Sequence, residues 1–311
     1  MLTTRSRRLF VPLLACVIPA CGSGSDVIAD GHLVFVRGLA SDASGTYWVD
    51  EQVTGSDPTG VWHLTPGEEP RFLAEGAGNE IALDDTHVYW FEWAARAIQR
   101  VPKEGGEVES VVEGLGDWSS FALAGERILV IDTGSDRSGA QIIAAEVDGG
   151  GAEVIAPMVH ATAQMSYPVV VGDRLYWQGG DRLLSMPVAG GEEETAWLGG
   201  VAAGSLSGDE LGVYFATERG AVMWLTVEGE AVTLAIGEYQ ADHTTVVGDD
   251  VYFSAWRGDS SDEILLRRVP RPGGEVDTVA VDDVLLYDIA VPPGGPAYFS
   301  NGDYQLRAAS L

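Results

Sequence analysis

The segment Ile128-Leu-Val-Ile-Asp-Thr-Gly-Ser135 runs four apolar residues into Asp132-Thr-Gly, an order in which an aspartate could serve as a catalytic carboxylate. Acid hydrolysis of that kind needs two carboxyls sharing one proton. The chain has no second Asp-Thr-Gly or Asp-Ser-Gly. Asp132 is therefore expected to end a strand and open a turn, not to carry chemistry. The five histidines, His32, His63, His87, His160 and His243, include no pair at metal-ligand spacing and no His-Glu-x-x-His. Asp84-Asp85 and Asp249-Asp250 lack the Asp-x-Asp-x-Asp-Gly order of a calcium loop and read as turn formers. The Gly-Gly pairs have no helix behind them, so they are hairpin turns and not phosphate loops. In Gly204-Ser-Leu-Ser-Gly208 the central residue is leucine, so no nucleophile elbow is present. No catalytic residue, metal ligand or cofactor is expected from these patterns.

What must position any site is a repeat. A short apolar-aromatic stretch recurs as Thr46-Tyr-Trp48, Val88-Tyr-Trp90, Ile128-Leu-Val130, Leu175-Tyr-Trp177, Val213-Tyr-Phe215, Val251-Tyr-Phe253 and Ala297-Tyr-Phe299. An apolar strand precedes each, as in Ile81-Ala-Leu83, with a Gly/Asp turn between the two. A third strand follows, such as Ile98-Gln-Arg-Val101, then a Gly-rich turn and a fourth strand such as Val108–Val112. Four short strands repeated every ~40 residues, with no long helical period between them, specify an all-β fold built from the blades of a β-propeller. Aligned this way, Asp132 falls with Asp50 and Glu92 at the end of a second strand.

Seven such stretches imply a seven-bladed β-propeller over residues 30–311; six or eight blades stay open if one repeat is degenerate. The last repeat supplies three strands before Leu311, and Asp30-Gly-His-Leu-Val-Phe-Val36 is expected to be the N-terminal strand that closes it. Thr46-Tyr-Trp-Val-Asp50 resembles the YWTD propellers of extracellular receptors. Val88-Tyr-Trp90 followed by Ile98-Gln-Arg-Val-Pro-Lys-Glu-Gly-Gly-Glu107 is similar to repeats of bacterial exported propellers of the TolB-like kind. Those resemblances imply architecture and an exported address and leave function open. The receptor propellers have six blades, so the count departs from theirs.

Residues 1–20 carry Arg5, Arg7 and Arg8 ahead of a short apolar run ending in Ile18-Pro-Ala20, the form of a secretory signal too short to span a bilayer. With Cys21 they resemble a bacterial lipobox, which implies lipidation of Cys21 and anchoring to the cell envelope. Gly22 after the cysteine favours the outer membrane. Ser6-Arg-Arg-Leu-Phe10 also resembles a twin-arginine export signal. Residues 21–29 read as a flexible tether. Cys16 leaves with the signal, so no intramolecular disulfide can form in the mature chain. The same cleavage takes the formal charge of −29 three units lower. Such a field repels phosphate backbones and anionic headgroups. Nucleic acid is excluded as a partner, and the only membrane contact expected is the lipid.

Blades one, three and six carry long polar loops between second and third strands, at Asp50–Pro58, Asp132–Gln141 and Trp256–Asp262. The long connection Ala156–Tyr167, with His160 and Met165, opens on the same face. Function concentrates on loops held by a rigid scaffold. Aligning the repeats rings the channel mouth with Arg37, Asn79, Ser119, Tyr167, His243 and Tyr287, the candidate ligand-binding residues. The expected function is a lipid-anchored binding or scaffold module for a protein or glycan partner, acting as a monomer. The alternative is an exported propeller enzyme, a lyase or hydrolase, using His243 and acidic loop residues in the central funnel.

Overall fold

The computed structural model describes residues 25–30, 34–52, 59–117, 119–132, 134, 140–157, 167–202, 204, 206–258, 263–303 and 305–311. Among them lie seven four-stranded antiparallel sheets and no helix, a seven-bladed β-propeller. Blade two shows the unit: inner strand Gly78–Leu83, second strand His87–Glu92, third strand Ala97–Pro102 and outer strand Glu109–Val112.

The aromatic pair in six of the second strands, replaced by Leu129-Val130 in blade three, explains how blades cohere. Successive strand residues point to opposite sheet faces. Tyr89 and Phe91 pack against blade three, with Phe121, Ile128 and Val130. Val88 and Trp90 turn the other way, against Tyr47 and Val49 of blade one. The tyrosine repeatedly faces the following blade: Tyr214 meets Val251 and Phe253 of blade six, Tyr252 meets Phe299 of blade seven, and Tyr298 meets Trp48 of blade one. Seven such clusters fill the seven gaps of the ring. Tyr89, Trp90 and Phe91 are fully buried, and burial of each contributes about 1.5–3 kcal/mol.

Closure differs in detail from the sequence expectation. The strand that completes blade seven is Asp26–Asp30, pairing antiparallel with Gln305–Ala309 through Asp26↔Ala308 and Asp30↔Gln305. The apolar stretch assigned to closure belongs instead to Val34–Asp42, the inner strand of blade one, where Leu39 pairs with Trp48. The reason is burial. An inner strand is packed from both sides, and Val36 and Leu39 are buried there. An outer strand faces solvent on its free edge, so the weakly apolar Asp-Val-Ile-Ala-Asp suffices, with Val27 44% exposed. The closing strand thus starts at Asp26, inside the segment read as tether.

Candidate functional site

Turns between second and third strands and the connections from one blade to the next lie on one face of the ring, here the upper face. Turns between first and second strands and between third and fourth strands lie on the lower face. Two concavities involve the inner strands.

The first is the central channel, a cavity of about 290 Å³ walled by all seven blades, with Gly38, Asn79, Phe121, Tyr167, Ser207, Thr244 and Asp288 among its lining. Inner strands have no partner on their channel side, so their amides need other acceptors. Two carboxylates supply them across blade boundaries. Glu80 Oε2 of blade two accepts the Phe121 amide of blade three at 2.9 Å. Asp288 Oδ2 of blade seven accepts the Leu39 amide of blade one at 2.7 Å. Between blades five and six the link is made by hydroxyls, Ser207 Oγ lying 3.2 Å from Thr244 Oγ1. Burial pushes the Glu80 carboxyl well above the usual carboxylate range, and the nearby Asp288 charge adds to the shift. Burial also raises Asp288, to about 6, against the lowering influence of the Leu39 amide and His243.

The second concavity lies off-axis on the upper face and encloses about 350 Å³. Blade five supplies Thr217 and Glu218 from its second-to-third turn. Blade six supplies Gln240–His243 and Ser254–Trp256, and Leu285–Leu286 complete it at blade seven. Its floor is an irregular strand. Pairing of Tyr239–Val247 with Asp250–Trp256 breaks register twice, between Tyr239 and Asp242 and between Asp242 and Thr244. Gln240 and His243 adopt left-handed φ values of 47° and 37°. Non-glycine residues are rarely held there, and the strain concentrates where a side chain must be aimed. The side chain aimed here is Asp242. Its Oδ1 accepts the His243 amide at 2.9 Å, and its Oδ2 lies 3.5 Å from His243 Nδ1. Ser254 Oγ donates to the Asp242 carbonyl at 3.1 Å. Gly204 leaves room for the carboxylate, since a Cβ there would fall 1.4 Å from Asp242 Oδ1. Burial raises the Asp242 carboxyl, opposed by the His243 charge and amide.

Of the six candidate residues, three line these cavities. Asn79 and Tyr167 line the channel, and His243 lines the off-axis cavity. Tyr287 is half-buried beside Leu286. Ser119 is buried and turned into its own loop, with Oγ 3.0 Å from Asp132 Oδ1 and 3.1 Å from the Gly116 carbonyl. Arg37 lies between Val36 and Gly38 on the blade-one inner strand, and its side chain is outside the described residues. Also outside them are Cys21, His160, Met165 and most of the long loops of blades one, three and six. Sequence reasoning missed Glu80, Asp288, Gln240, Asp242, Glu218 and Trp256. One signal was readable: the inner strand Tyr239–Val247 has a polar middle, Gln240-Ala-Asp-His-Thr244.

Asp132 has a structural role. It accepts the Gly116 and Gly134 amides at 2.8 and 3.1 Å and the Gln141 side chain at 3.2 Å. Asp50 and Glu92, its counterparts, likewise accept the Gly60 amide at 2.5 Å and the Ala77 amide at 2.7 Å. These acids fasten second strands to the loops beside them. Among the described residues no group of three or more His, Cys, Asp and Glu could hold a metal ion.

Fold and upper-face cavity together define a seven-bladed propeller with an off-axis recess. No protein-family model and no curated protein sequence matches the chain. Solved structures do. A streptogramin B lyase structure superposes with a TM-score of 0.69 at 12% identity, covering 94% of this chain and 95% of that one. A chain of a nidogen/laminin complex gives 0.56 at 17% identity, covering 83% and 96%. BamB from Moraxella catarrhalis gives 0.51 at 14% identity, covering 89% and 85%. At these identities the likeness is one of fold.

Proposed function

We propose that the protein is a lipid-anchored β-propeller of the bacterial cell envelope that captures a protein or glycan partner on its upper face. The observation that carries this reading is the off-axis cavity, where two left-handed non-glycine residues hold Asp242 and His243 beside Trp256. A scaffold maintains such strain when the position of a side chain matters more than local stability. Tyr239, 41% exposed and paired in register with Trp256, adds an aromatic rim, and aromatic anchors with a polar surround are the usual anatomy of a binding patch. Propellers with such partners exist, as the nidogen/laminin complex illustrates. A photo-crosslinking amino acid at position 256 in intact cells tests the reading. Crosslinks from 256 and none from the lower-face position 249 support it; the reverse pattern overturns it. Cys21→Ser should shift the protein from the membrane to the soluble fraction, and retention on the membrane would remove the anchor from the proposal.

One observation favours the enzyme alternative. His243 has a carboxylate at 3.5 Å inside a cavity, an arrangement that could orient an imidazole for proton transfer, and a lyase shares the fold. That distance lies at the outer limit of a hydrogen bond, which places binding ahead of catalysis.

A further inference from the structure

Two acidic residues from different blades line the upper-face cavity. Glu218 comes from the exposed turn of blade five and Asp242 from the irregular inner strand of blade six. The remaining polar residues of the lining are Thr217, Ser254, Gln240 and His243, and Trp256 is its aromatic residue. Among the described residues no lysine or arginine lines the cavity. Arginines in the same sector are engaged elsewhere: Arg257 pairs with Glu263 at 2.5 Å and Arg267 with Glu238 at 3.4 Å. Arg219, exposed in the blade-five turn, is not part of the lining.

This arrangement sorts ligands by charge. An anion would meet two acidic residues, with His243, already beside Asp242, as the one basic group in the described lining. A neutral polyol would displace water from the carboxylates without neutralising them, which is costly in a recess. A cation gains charge-assisted hydrogen bonds from both carboxylates and an attraction to the indole face. A cavity of about 350 Å³ is at the small end of ligand pockets, which run from about 300 to 1,000 Å³, and suits one long side chain. The chain's formal charge of −29 would steer cationic surfaces toward it.

We infer that the cavity receives a cationic group of the partner, a lysine ammonium or arginine guanidinium, held between Glu218 and Asp242 against Trp256. This rests on the binding reading of the upper face and names the chemistry by which that face selects.

Agmatine serves as a guanidinium probe, with glucose as the neutral probe and glutarate as the anionic one. Each is titrated into isotope-labelled protein while the Trp256 indole and His243 ring signals are followed by NMR. Agmatine should shift both signals saturably, and glucose and glutarate should not. Asp242→Asn should weaken agmatine binding about tenfold, the scale of one lost charge-assisted contact. Glu218→Gln, at an exposed position that leaves folding intact, should weaken it severalfold. Saturable shifts with glucose and none with agmatine would overturn the inference, as would agmatine shifts unchanged in both variants. Competition by agmatine against crosslinking from position 256 separates this inference from the function it refines. Crosslinks that agmatine leaves untouched sink the cationic group and spare the binding face. Agmatine binding without upper-face crosslinks spares the cation site and sinks the binding module.

Discussion

Asp288 Oδ2 stands 2.7 Å from the Leu39 amide nitrogen, joining blade seven to blade one between residues 249 apart in sequence. The bond lies on the channel side of the seam, while the Asp26–Asp30 strand closes the ring from outside. The ring is thus locked at both radii, and the inner lock is a carboxyl whose protonation burial favours.

That gives a pH dependence of definite sign. Asp288 is raised to about 6, Asp50 to about 7 and Glu80 well above its ordinary value, each chiefly by burial. A carboxyl raised in the folded state adds stability that is complete below its unfolded pKa and is lost as pH rises through the folded value. Thermal stability should therefore fall between pH 5 and pH 8. Asp288→Asn keeps an acceptor for the Leu39 amide and should raise stability at pH 8 by about 3 kcal/mol, from the rise to about 6 at roughly 1.4 kcal/mol per pKa unit. Calorimetric melts across that range, with a flatter profile in the variant, check both points; a rise in stability toward pH 8 would contradict them.

On the lower face, Arg271 of blade six reaches back to blade five. It pairs with Asp209 at 2.5 Å, touches the Tyr214 hydroxyl and lies 5.8 and 5.6 Å from the Tyr214 and Trp224 rings. Lys103 of blade two repeats the arrangement on Asp42 and Tyr47 of blade one. Both cations are largely buried. Arg271→Met should cost about 3 kcal/mol by leaving Asp209 without its partner, measured by urea unfolding, and Asp209→Asn in that background should recover part of it. Full additivity of the two changes would refute the coupling.

Backbone strain and close packing at the cavity predict opposite effects of two substitutions on stability. Gln240 is exposed with φ 47°, a conformation that costs a non-glycine residue about 1–2 kcal/mol. Gln240→Gly should raise stability by about 0.5–1 kcal/mol after the entropy of the unfolded glycine is counted. Gly204→Ala should do the reverse, driving a methyl into Asp242 and abolishing upper-face binding. Equal melting temperatures for Gln240→Gly and the parent would remove strain from the account.

The closing strand offers a test of ring cooperativity. Deleting residues 26–30 exposes the Gln305–Ala309 edge, where Leu306 is fully buried. A single unfolding transition at a lower temperature is expected, because each blade depends on its neighbours for burial. An unchanged melt would mean that the outer strand is dispensable.

Much of this molecule is legible in residue order. The Tyr-Trp and Tyr-Phe pairs, the Gly turns and the acids at Asp50, Glu92 and Asp132 recur at matching places in the repeat. Period-two alternation and turn chemistry are local properties, so blade number and strand order followed from them.

Tertiary packing decided what lies between blades. Whether 26–30 or 30–36 closes the ring depends on which segment must be buried from both sides, and both are compatible with a strand. Glu80 and Asp288 reach the amides of neighbouring blades, and their shared channel exists only when the ring is complete. The double register break that lifts Asp242 and His243 into the cavity arises where blade six packs over Gly204 of the preceding connection. Its trace in the sequence is a strand with a polar middle, because the strain that shapes it is imposed by neighbours and not by the residues that bear it.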